Sequence, residues 1–165
     1  MVVEKLLMMA LILLEIGIKM NVRPATNEDT NDIFWLLMEM AKENTSREVS
    51  VSGTVDEIRR VTGMGGCIVA EKDATIVASA GISPQSPWFT DEVFLGDSWF
   101  YVHPDHRVSD AAAKMKKSLQ QFAKHAGKDL VLAVHSTDNA ERKNKFFARD
   151  MELMGSSFIY KVEET

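Results

Sequence analysis

The sequence predicts one mixed α/β domain. Segments of strand character alternate with segments of helical periodicity along 165 residues, and no internal repeat, low-complexity tract or Pro/Gly-rich linker breaks the alternation. The composition, 45% hydrophobic, is enough to bury a normal core.

Residues 1–19 stand apart from that pattern as an apolar helical extension to a domain over residues 20–165. Leu6 to Leu14 is an uninterrupted apolar run, but as a helix it would rise only about 14 Å, less than half a bilayer core. Glu4, Lys5 and Glu15 crowd it, and Glu15 to Lys19 offers no small-residue cleavage site for a secretory signal. The expectation is a helix outside the membrane that docks by its apolar run, on its own domain or on a second subunit in a homodimer.

From Val22 to Asn44 the domain reads as a first strand and helix. Thr26 and Asp29 form a capping-box pattern before a helix whose stripe is Ile33, Leu37 and Met40. Thr54 to Thr62 reads as a short second helix, ended near Gly63, and Gly63-Met64-Gly65-Gly66 as the most flexible point. Ile68 to Glu71 and Ile76 to Ile82 read as a hairpin across Lys72 to Thr75. Ser83 to Thr90, with two prolines and Trp88-Phe89, is the expected substrate-side loop. Val93 to Val102 is the central strand. The helix after it carries Ala112, Met115, Leu119, Phe122 and Ala126 on one face, Ser109 as N-cap, Asp110 in its first turn and Gly127 as its C′ residue. Lys114, Lys116, Lys117 and Lys124 fall largely off that stripe and read as a solvated face. Leu130 to His135 is the next strand, Asn139 to about Met151 the next helix with Asp138-Asn139 as its cap, and Ser157 to Val162 the last strand.

A net charge of −5 argues against a dedicated nucleic-acid binder. Arg142, Lys143, Lys145 and Arg149 make a local basic patch that reads as a solvated helix face. The single cysteine, Cys67, excludes an intramolecular disulfide, reads as a small buried hydrophobe and fits a reducing cytoplasm. His103-x-x-His106 flanks a proline turn without further ligands, so no metal site is expected. No Ser-His-Asp ordering argues for a hydrolase.

The most informative stretch is Trp99 to Gly127, in which an apolar strand runs through one proline turn into the start of an amphipathic helix. Such a helix start presents unpaired N–H groups and the positive end of a dipole, a geometry that holds phosphate. Val102, Pro104 and Arg107 form a V-x-P-x-x-R motif, followed by Arg107-Val108-Ser109-Asp110-Ala111-Ala112. With the order of elements from Asn21 to Lys161, these residues resemble the GCN5-related N-acetyltransferase (GNAT) superfamily, in particular its small phage and bacterial forms. The family writes the loop R-x-x-G-x-G/A. Asp110 therefore occupies the first glycine position, and Ala112 fits the second. Met20 to Pro24 resembles the family's usual beginning.

The resemblance implies a central mixed sheet of about six or seven strands, splayed at its middle and flanked by about four helices. It implies transfer of an acetyl group from acetyl-coenzyme A (acetyl-CoA) to an amine of a small molecule or protein. Cofactor binding would fall to Val102, Arg107, Val108, Ser109, Asp110, Ala111 and Ala112. For the amine, Asp97 is the first choice as recognition group or base, with Glu92 beside the strand; by the period of two, Asp97, Trp99 and Tyr101 would share one face. Asp97 reads equally as a turn residue after Gly96, and His103, the next choice, as a surface histidine beside Pro104.

Where many family members carry a tyrosine that protonates the leaving thiolate, this chain has Phe147. Phe147 reads with Met151 and Met154 as a packing stripe. Tyr101 or Ser136 would substitute, or the thiolate would leave unassisted. Asp110 is expected to repel pyrophosphate and weaken cofactor binding. Two alternatives stay open: a module of the same fold that has lost catalysis, such as a phage virion or host-takeover component, and an enzyme that modifies nucleic acid.

Overall fold

A computed structural model describes residues 20–45, 47–134 and 139–155. The expectations for residues 1–19, His135, Ser136, Asp138 and Ser157 to Val162 lie outside these. The described residues fall in two compact units, one up to Ala133 and one from Val134.

The first unit is a mixed sheet with helices on both faces. Strands β1 (Asn21–Pro24), β2 (Cys67–Lys72), β3 (Thr75–Gln85), β4 (Phe94–Val102) and β5 (Leu130–Val131) lie in sequence order. The first four pair antiparallel, and β5 pairs parallel to β4. Helix α1 (Thr30–Asn44) follows a 3-10 turn at Asn27–Asp29, α2 (Val51–Gly63) precedes β2, and α3 (Ala111–Ala126) connects β4 to β5. With α4 (Ala140–Phe147) in the second unit, the described residues hold five strands and four α-helices, one or two strands fewer than expected.

Alternation along the strands divides the core between the faces. Ile68, Ala70, Ala80 and Ile82 pack with Met115, Leu119 and Phe122 of α3. Cys67 and Val69 pack with Ile33 and Leu37 of α1 and Ile58 and Val61 of α2. Leu36 joins the expected α1 stripe, and Met40 packs at its edge. On α3 the buried face takes in Lys116, which corrects its reading as solvated; the solvated-face reading holds for Lys117 and Lys124, both exposed.

Local chemistry explains the ends of the helices. Ser50 caps α2 by accepting the Gly53 N–H at 3.1 Å, so this helix starts three residues before Thr54. It closes through Gly65 at φ 71°: the Gly66 N–H returns to the Val61 carbonyl and the Gly65 N–H to that of Thr62. The expected flexible point is thus a hydrogen-bonded helix end. Gly127, at φ 62°, closes α3 in the same way, with the Lys128 N–H on the Ala123 carbonyl. The β2–β3 turn places Asp73 and Ala74 at φ 50° and 60°, the left-handed pair that a two-residue hairpin requires.

Arg23 anchors the start of α1. Its guanidinium grips both oxygens of Asp29 at 2.8 and 2.9 Å and reaches Glu71 of β2 at 2.9 Å, while Asp29 also accepts the Thr26 N–H at 2.7 Å, as the capping-box spacing predicts. Hydrogen bonding to Arg23 holds the Asp29 carboxyl below the usual carboxylate range. A carboxyl depressed on folding contributes stability that is present above its unfolded value of about 3.9 and is lost as pH falls through the lower folded value. Asp29→Asn is therefore expected to cost about 2 kcal/mol at pH 7, roughly 7 °C in melting temperature. The difference from the unsubstituted protein should close below pH 4 in calorimetric scans; a gap independent of pH would refute the ionic account.

Candidate functional site: the end of the central strand and the turn into α3

The site begins at an irregularity in β4. Gly81 of β3 stands opposite Trp99, whereas the next residue, Ile82, stands opposite Asp97, so Ser98 is an inserted bulge residue. The bulge reverses which residues share a face. Leu95 packs on the α3 side before it, and Phe100 and Val102 pack there after it, while Trp99 joins the cluster under α1 and α2. Asp97 and Trp99 therefore lie on opposite faces, which corrects the expected common face of Asp97, Trp99 and Tyr101.

Asp97 marks the point where β4 and β5 part. Their pairing covers only Leu95 with Leu130 and Gly96 with Val131. A continued parallel ladder would send the Ala133 N–H to the Asp97 backbone carbonyl. It goes instead to the Asp97 carboxylate, at 2.9 Å. Past the bulge, the His103 N–H bonds the Val77 carbonyl, so the odd-numbered residues of β4 face β3. Phe100 and Val102 consequently turn their N–H groups toward the side on which β5 lies.

After Val102 the chain makes a 3-10 turn at Pro104–His106, capped by His103, whose Nδ1 accepts the Asp105 N–H at 3.3 Å. Helix α3 starts one residue later than expected: Asp110 takes the N-cap position, while the Ser109 hydroxyl accepts the Ala111 N–H at 3.2 Å. Asp110 has φ −84°, so the backbone does not require the glycine that the family places there. The first helical hydrogen bond runs from Lys114 to the Asp110 carbonyl, and with the Ala111 N–H taken by Ser109, the N–H groups of Ala112 and Ala113 have no partner within the helix. Their methyl side chains leave room for an anion. Lys114 Nζ lies 2.8 Å from the Asp110 carboxylate and donates to the Met20 carbonyl at 3.2 Å.

Tyr101 is 2% exposed, and its hydroxyl donates to Glu43 at the end of α1. Burial first, and then Glu43, push its pKa upward, which keeps it a neutral donor. Arg107 also folds back toward Glu43 and the Val102 carbonyl, and Val108 is exposed. The structure thus brings the expected cofactor residues into one turn, but it places Asp97 and Tyr101 on opposite faces of β4. His103 serves as a turn cap. Glu92 is exposed in the segment between β3 and β4, and β3 runs on to Gln85, so that segment starts after the expected Ser83. Trp88 at its tip is 95% exposed.

On the α2 side, Glu57 accepts the Ser98 hydroxyl at 2.7 Å and pairs with Arg60. Cys67 is buried, as expected, with Sγ 3.7 Å from the Ser79 hydroxyl, and burial pushes its thiol up to about 11. Glu43 carries no sequence signal, because Tyr101 and Arg107 lie 58 and 64 residues away, and neither does the contact of Glu57 with Ser98, 41 residues apart. Lys114 does carry one, the i,i+4 spacing from Asp110. In the second unit, α4 ends at Phe147, which packs edge-to-face on Phe146, and Met154 is 81% exposed. The helical stripe through Met151 and Met154 is thereby corrected. Arg142, Lys145 and Arg149 are exposed, as a solvated face requires.

Fold and site define a mixed α/β protein with a helix that starts just past the end of a central strand, which parts from its neighbour. Residues 30–151 match the model of the acetyltransferase (GNAT) family, and the chain belongs to that family. Its fold is shared by ribosomal-protein-alanine N-acetyltransferase from Brucella melitensis biovar Abortus 2308, with TM-score 0.68, 16% identity and coverage of 88% of this chain and 100% of that one. It is shared equally by a predicted acetyltransferase from Clostridium acetobutylicum solved with acetyl-CoA (0.67, 16%, 86% and 96%). An aminoglycoside N-acetyltransferase in complex with CoA is similar at 0.66 and 14%, covering 90% and 97%. No curated protein matches the sequence.

Proposed function

We infer that the protein transfers an acetyl group from acetyl-CoA to an amine of a small molecule or a protein. The observation that carries this reading is the run of backbone from the outward N–H groups of Phe100 and Val102, through the turn at Pro104–His106, to the N–H groups of Ala112 and Ala113. The helix start suits a pyrophosphate, since its amides are fixed before any ligand arrives and belong to alanines, whose side chains are small. The strand edge suits a thioester arm, with N–H groups that polarise a carbonyl. Acetyl-CoA supplies an activated acyl group that the amine nitrogen attacks.

Asp97 sits where the strands part, and we assign it to hold the amine or to take its proton, directly or through water. Tyr101 keeps its proton on Glu43 and orders the strand end. His103 contributes the shape of the turn. The reading places the protein in a reducing cytoplasm, which suits a lone buried thiol.

Titration calorimetry with acetyl-CoA, followed by thiol release with peptide N-termini and aminoglycosides as acceptors, tests the proposal. A measurable heat of binding and acceptor-dependent release are expected. No heat and no thermal shift at millimolar acetyl-CoA would overturn it and favour a non-catalytic module of this fold.

A further inference from the structure

Glu43 stands in the last turn of α1, and its carboxylate gathers two elements that are distant in sequence. It accepts the Tyr101 hydroxyl at 2.5 Å, and Arg107 Nη2 lies 2.6 Å from each of its oxygens. Arg107 Nε donates to the Val102 carbonyl at 3.2 Å, and its guanidinium carbon lies 5.5 Å from the centre of the Tyr101 ring. One ionic group, with side chains 22% and 29% exposed, thus ties α1, the last residues of β4 and the turn that leads into α3.

We propose that Glu43 is a positioning residue for the cofactor turn. Through Arg107 it holds the backbone from Val102 to Ala111 in the form that receives the pyrophosphate, and Arg107 acts as this clamp and not as a phosphate ligand. The proposal rests on the acetyl-CoA reading above. Its physical basis is that the guanidinium fork is committed to a carboxylate and a carbonyl. Moving it to a phosphate would take the guanidinium from a half-buried carboxylate. With the pair intact, Glu43 presents no net charge to a dianionic ligand.

The two roles for Arg107 give opposite signs. A clamp makes Glu43→Gln weaken acetyl-CoA binding, whereas a phosphate ligand released from Glu43 would bind more tightly. Glu43→Gln, Arg107→Gln and the double variant of the full chain are compared by calorimetry over a range of salt, and by hydrogen exchange of residues 103–111 without cofactor. Each single change should weaken binding by about tenfold, and the double no further, because both remove one coupled interaction. Salt dependence in the double variant, which keeps the net charge, should match the unsubstituted protein, exchange in the turn should rise in all three, and Arg107→Lys should not restore binding, since an ammonium lacks the fork.

Tighter binding by Glu43→Gln, additive losses, or a shallower salt dependence in the double variant would overturn the clamp. Should acetyl-CoA not bind the unsubstituted protein, the functional reading fails while the exchange measurement still decides the clamp: unchanged protection refutes it. Where a charge variant does not fold, Tyr101→Phe removes one hydroxyl and leaves the ring under Arg107. Faster exchange in the turn is then expected, and unaltered exchange overturns the proposal.

Discussion

Replacing Gly81 with alanine is expected to destabilise the protein by about 3 kcal/mol, close to 10 °C in melting temperature. A Cβ at Gly81 would stand 2.5 to 2.6 Å from three carbons of the six-membered ring of Trp99. That ring cannot swing aside without loss. It is buried among residues of α1 and α2, and its Nε1 donates to the Ser79 hydroxyl at 3.0 Å, which in turn donates to the Ile68 carbonyl at 3.1 Å. The methyl must therefore break that chain or push β3 from β4 at the bulge where Asp97 sits. Adding Trp99→Phe removes the clashing atoms and should recover part of the loss, at the expense of the indole hydrogen bond to Ser79. A Gly81→Ala protein with unaltered melting would show that the ring has room to move.

Changes at Asp110 and Lys114 are expected to move acetyl-CoA affinity in opposite directions, by about fivefold each. The two side chains form an ion pair at the start of α3, so this end of the helix carries almost no net side-chain charge. Asp110→Asn leaves Lys114 to attract the pyrophosphate and should tighten binding. Lys114→Met leaves the carboxylate to repel it and should weaken binding, while the double variant returns close to the starting affinity. Asp110 is 57% exposed, so both effects should shrink in high salt. Calorimetry at two ionic strengths checks this, and unchanged affinity in Asp110→Asn would show that the carboxylate does not sense the ligand.

The sequence was most legible where a structure depends on neighbours in the chain. The closure of α3 at Gly127, the Thr26 to Asp29 spacing, the hairpin around Asp73-Ala74 and the buried stripes of α1 and α3 are each set within about five residues. The family pattern Val102-Pro104-Arg107 located the turn for the same reason. Errors arose where period alone was extended across a contact. The period of two put Asp97 beside Trp99 because an inserted residue such as Ser98 is defined only by the register of β3 against β4. Helical angle alone points Lys116 toward solvent, although burial depends on what covers the helix.

By itself, then, the sequence determined the alternation of strands and helices, the closure of α3 at Gly127, and a helix start after the central strand, because propensity, capping and periodicity act over one or two turns of chain. Only the tertiary structure decided that β4 parts from β5 at Asp97, that Lys114 neutralises Asp110, and that Glu43 grips both Tyr101 and Arg107. Directional contacts of that kind depend on ångström-scale positions that strand register and helix packing set, and spacing along the chain does not contain them.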